Sequence, residues 1–147
     1  MDPNNDGPVA EVLDEVRLLF HRAGQVGERL HRRERLTMGR RGVLEFVHRN
    51  GPSTVPGIAA RRFVSRQHIQ MLVHGLLERR LVELATNPAH RRSALVALTP
   101  AGRQTIQRMK ARERRLAAGL DPGLGPARLR SAARTLRRLR AALGGEA

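Results

Sequence analysis

A chain of 147 residues with 40% hydrophobic content has room for one packed domain and an appended helical layer. With no Trp, no Tyr and three Phe its core must be aliphatic, and the lack of Cys excludes disulfides, thiolate catalysis, thiol redox sensing and cysteine zinc sites. A formal net charge of +15, carried almost wholly by arginine, favours a polyanionic partner, either nucleic acid or an anionic membrane surface.

Residues 1–8 read as a loose polar tail, without the apolar stretch of a secretory signal. No apolar run approaches the ~18 residues that a membrane span needs, so the expectation is a soluble, cytoplasmic protein. Val9, Val12, Leu13, Val16, Leu19 and Phe20 recur at three- and four-residue steps and predict an amphipathic helix reaching Leu30. Thr37 is placed to cap a second helix with Val43, Leu44 and Val47 inward, ended by Asn50-Gly51-Pro52. Thr54 is placed to cap a short third helix, with Pro56 tolerated in its first turn. Its inward face is Val55, Ile58 and Ala59, with Phe63 near its end.

The fourth segment has the clearest period. Ile69, Leu72, Val73, Leu76 and Leu77 form one aliphatic face, and Ser65 is a good N-cap. The opposite face carries Gln67, Gln70, Met71 and His74. A solvated face would usually carry Lys and Glu; glutamines and a histidine suit a surface that reads something. Two strand-like runs follow, Leu81–Ala85 and Ser93–Leu98, joined as a hairpin with a longer loop whose tip holds Arg91 and Arg92. Thr99, followed by Pro100, starts a fifth helix carrying Ile106, Met109, Leu116 and Leu120. Asp121 to Pro126 breaks it. The last helix places Leu129, Ala132, Leu136, Leu139 and Leu143 in a coiled-coil-like seam. Residues 144–147 read as a second loose tail.

Two short helices joined by a tight turn, the second with a polar outer face, form a helix-turn-helix. The second helix of such a pair enters the major groove with its N-terminal residues against base edges. Here those residues are Ser65, Arg66, Gln67, His68 and Gln70. Gln bonds adenine, and Arg bonds guanine, in a bidentate way. A hairpin directly after that helix is a wing, and arginines at its tip are drawn to a narrow minor groove.

From about residue 9 to 143 the chain resembles the MarR family of winged-helix transcriptional regulators. The resemblance is carried by "SRQHIQMLVHGLLERRLVE" (65–83) and "NPAHRRSALVALTPAG" (87–102). It implies a mainly α fold with a small β-hairpin wing: a winged helix-turn-helix (36–102) plus an all-helical dimerisation layer (9–35 and 103–143). It also implies a homodimer on a pseudo-palindromic double-stranded DNA operator, and relief by a small-molecule effector in the cleft between the layers. Arg92 corresponds to the wing arginine of the minor groove, and Arg91 to the basic position beside it. The DNA-facing set is therefore Ser65, Arg66, Gln67, His68, Gln70, Met71, His74, Arg91 and Arg92. Three positions depart from the family's pattern. His90 stands where an acid usually braces the wing arginine. Arg80 stands where glycine is usual, at a cost on the order of 1–2 kcal/mol if the backbone there is left-handed. The turn "RRFVS" (61–65) has no glycine.

Other chemistries find less support. His68 and His74 are six apart and share no helix face, so neither a metal nor a cofactor is expected. There is no phosphate-binding glycine loop and no G-x-S-x-G, and Glu45 and Glu78 are isolated acids among arginines, so the chain does not read as an enzyme. Residues 103–140 are strongly basic, but their apolar stripe is taken by the helical seam, which argues against a membrane partner. A nonspecific DNA-coating protein is the alternative to a sequence reader.

Overall fold

The computed structural model describes residues 7–120 and 123–144. The two tails fall largely outside that range, as do Asp121 and Pro122 of the helix break. Six α-helices and three short strands follow in the order α1 (Gly7–Leu30), α2 (Met38–Asn50), β1 (Ser53–Thr54), α3 (Val55–Arg62), α4 (Arg66–Glu78), β2 (Val82–Ala85), β3 (Leu95–Leu98), α5 (Pro100–Gly119) and α6 (Pro126–Leu143). A 3-10 turn, Arg32–Glu34, joins α1 to α2.

The helices begin where their capping side chains stand. Thr37 accepts the Arg40 N–H at 3.3 Å, Thr54 the Gly57 N–H at 3.1 Å, and Ser65 the His68 N–H at 3.1 Å. Each bond satisfies one of the amides that a helix start leaves without an intrahelical partner. Thr99 does the same for Gly102 at 3.0 Å, and its hydroxyl donates to the Arg80 carbonyl at 2.7 Å. Gly51 ends α2 with φ 80, and its N–H donates to the Val47 carbonyl.

Contacts divide the chain into two compact units that meet within α5, between Glu113 and Arg114. In the first, α4 packs against both α2 and α3, and each of the three helices contacts a strand of the sheet. The core is aliphatic: Val43, Leu44, Val47, Ile58, Ala59, Ile69, Val73, Leu76, Val82, Val96, Ile106 and Met109 are all buried. The second unit holds the end of α5 and all of α6, where Leu116, Leu129, Leu136 and Leu143 are exposed.

The sheet is antiparallel, in the order β1-β3-β2. Its hairpin pairs Val82 with Leu98 and Ala85 with Leu95. Strand β1 was not predicted; Ser53 pairs with Val96 and Thr54 with Leu95. The hairpin strands are also shorter than their sequence runs. The Leu81 N–H is spent on the Leu76 carbonyl at 3.0 Å, and its carbonyl accepts from Thr99 N at 3.2 Å. The Ser93 N–H is spent on the His90 carbonyl at 3.0 Å. Phe63, placed at the end of the third helix by its sequence, does not join the core. It is 75% exposed, with φ 55.

A polar network lies behind the core. Arg79, next to the end of α4, donates to the Arg35 and Glu34 carbonyls, both at 2.7 Å. The buried carboxylate of Glu34 holds Arg112 at 2.6 Å. His31, also buried, pairs with Glu113 at 2.9 Å.

Candidate nucleic-acid interface

Helix α4 is fixed from behind and open in front. Ile69, Val73 and Leu76 are buried, and both α2 and α3 pack on it. The 3.6-residue period then carries Arg66, Gln67, Gln70, Met71 and His74 to the opposite face, where all are exposed. The turn into α4 closes without glycine. Phe63 takes the left-handed position, and Val64 donates to the Ala59 carbonyl at 3.2 Å.

Asn87 forms a local turn at the start of the wing tip. Asn87 is buried, and its Oδ1 accepts the Ala89 N–H at 3.1 Å. The turn at His90–Ser93 is closed by backbone alone, and the His90, Arg91 and Arg92 side chains are exposed. At the other end of the wing Arg80 has φ 53, so the left-handed backbone inferred from its glycine-like position is present. Gly102 keeps α5 against the base of the wing, because a Cβ there would collide with the Leu81 carbonyl.

Four of the nine sequence-predicted residues come together. Arg66, Gln67 and Gln70 from α4 and Arg92 from the wing line one concavity of about 480 Å³, with Val55, Pro56, Leu84, Ser93 and Ala94. Its only charged lining groups are the two arginines, so it is positive. The other five lie outside this lining. Ser65 is engaged as the N-cap of α4, and His74 pairs with Glu78 at 3.4 Å. His68, Met71 and Arg91 are exposed. Leu84 was missed. It shares the strand parity of buried Val82, so alternation alone assigns it to the core, yet it stays exposed and lines the concavity. Among the described residues no group of three or more His, Cys, Asp or Glu is arranged to hold a metal, and no helix is long and apolar enough to cross a membrane.

Three comparisons bear on this geometry. The MarR family model matches residues 36–93, from the approach to α2 through the wing tip. An uncharacterized protein of Mycobacterium tuberculosis is 36% identical over 138 residues, covering 94% of this chain and 93% of that one. A crystal structure of a MarR family transcription regulator aligns at a TM-score of 0.80 and 29% identity, over 95% of this chain and 94% of the other. Staphylococcus aureus MarR, solved with salicylate and kanamycin, aligns at a TM-score of 0.79 over 95% and 94% of the two chains; at 15% identity this is a likeness of fold.

Proposed function

This chain belongs to the MarR family of DNA-binding transcription regulators, and from that premise we propose that it is a homodimeric repressor of a pseudo-palindromic operator. The observation that carries the reading is the single concavity bounded by Arg66, Gln67, Gln70 and Arg92. It sets two bidentate amide readers beside two guanidiniums, on a face with no acid in its lining. Gln67 and Gln70 are suited to adenine edges and Arg66 to guanine. Arg92, on the wing, is suited to the adjacent minor groove. Met71 offers an apolar contact to a thymine methyl, and Ser65, His68, His74 and Arg91 complete the surface with phosphate and sugar contacts.

A repressor acts here by occluding a promoter with its own bulk. Two copies joined through their terminal helices present two α4 helices to major grooves about 34–36 Å apart. A small-molecule effector that releases the DNA is part of the proposal, and the salicylate complex of Staphylococcus aureus MarR supports it.

Selection of bound duplexes from a random pool tests the reading. The expected product is a pseudo-palindrome whose half-sites are about one helical turn apart. Gln67→Ala should then lose roughly 1–3 kcal/mol of discrimination at one base pair of each half-site. A pool without enrichment, or equal wild-type and variant affinities across random duplexes, would instead identify a nonspecific DNA-coating protein.

A further inference from the structure

We propose that an arginine-lined groove at the C-terminal end of α1 binds a small, multiply charged phosphate-type anion, at a site separate from the α4–wing face. Arg29, Leu30, Arg32, Arg33 and Arg112 line one hollow of about 480 Å³, with four guanidinium-bearing residues and no acid among them. A second hollow shares Arg33 and Arg112 and adds Glu34, Arg79 and Arg108. The groove has no lining residue in common with the concavity of α4 and the wing.

Two observations specify the ligand. Arg29, Arg32 and Arg33 are exposed, and among the described residues no carboxylate pairs with any of them. Glu28 lines a neighbouring hollow with Arg29 and Arg32 and Glu34 lines the shared one, so arginines outnumber acids along the groove, and an anion there offsets the repulsion that the excess leaves. The guanidinium fork matches phosphate oxygens two at a time. The second observation is Glu34. Its side chain is 6% exposed, and one carboxylate oxygen holds Arg112. The other oxygen is buried with no hydrogen-bond partner among the described residues, in a residue that lines the shared hollow.

A ligand that serves both features accepts from guanidiniums and donates one hydrogen to a carboxylate. A phosphate group with a second pKa of about 6 does both, through its bare oxygens and its remaining O–H. Leu30 is the one apolar residue lining the first hollow, so an aromatic monocarboxylate finds little surface there to bury.

Calorimetric titration of the full chain with pyrophosphate, without DNA, tests the site. Saturable binding is expected, weakened about tenfold or more in Arg29→Ser/Arg33→Ser through the loss of charge-assisted hydrogen bonds. Arg134→Ser/Arg138→Ser removes the same charge from α6, which contributes no lining residue to either hollow, and should change the affinity less than about twofold. Both altered pairs are exposed and have no ion-pair partner among the described residues, and circular dichroism checks that each variant folds. Equal weakening in the two variants would overturn the site in favour of diffuse positive charge. Salicylate binding as tightly as pyrophosphate would overturn the ligand class. Unchanged pyrophosphate binding with weakened duplex binding in Arg29→Ser/Arg33→Ser would assign the groove to nucleic-acid phosphates and also overturn it. With no DNA in the titration, failure here is distinct from failure of the operator-binding reading.

Discussion

In α2 and α4 the periodic apolar residues Val43, Leu44, Val47, Ile69, Val73 and Leu76 are buried. In α1 and α6 the equally periodic Val16, Leu19, Phe20, Leu129, Leu136 and Leu143 are exposed. The spacing is the same kind in both regions, and the outcome differs. A helical period states only that one face seeks apolar cover; what supplies the cover is a matter of neighbours. The winged helix finds it within its own chain. Each terminal helix carries an apolar stripe that stays open, and exposed apolar stripes of this sort mark interaction sites. That contrast is why a second copy of the chain is part of the proposed function.

Truncation in the winged helix tests the first half of the contrast most severely. Leu44→Ala should cost about 2–5 kcal/mol, since Leu44 is wholly buried and its neighbours relax only partly. Urea unfolding at several protein concentrations should return the same loss each time. On α6, Leu136→Asp should weaken self-association by roughly 2 kcal/mol or more, by placing a carboxylate in the seam. Sedimentation of the wild type as a folded monomer at micromolar concentration would remove the dimer.

Smaller effects sharpen the account of the wing. Gly102→Ala should cost roughly 1–3 kcal/mol, because the added Cβ meets the Leu81 carbonyl and backbone yields little. A calorimetric melting scan reads it directly. Arg80→Gly should have the opposite sign and raise stability by about 1 kcal/mol, by relieving a left-handed backbone at φ 53. A midpoint unchanged or lowered in denaturant would show that the Arg80 side chain offsets its strain.

Much of the geometry of the candidate face was legible because it is local. The Ser65 cap and the Gln67, Gln70, Met71 and His74 face depend on residues within two turns of one another. The meeting of Arg92 with Gln67 and Gln70 was not legible from spacing, since it joins residues more than twenty positions apart. Nor was the role of Asn87. An asparagine before a proline reads as a turn residue, and only the structure shows that it is buried as it accepts the Ala89 N–H. Phe63 misled for a related reason. Its apolar character fits a core, but the chain needs a left-handed residue there, and that backbone turns the ring outward.

By itself the sequence determined where helices start, which face of each is apolar, and that a basic hairpin follows a glutamine-bearing helix. These follow from caps and periods that act over three or four residues. Only the tertiary structure decided the rest: the pairing of Ser53 and Thr54 with β3, the clasp of Arg79 on the Glu34 and Arg35 carbonyls, and the collision that makes Gly102 a glycine. Each joins segments distant along the chain, where no local rule acts and packing alone sets the partner.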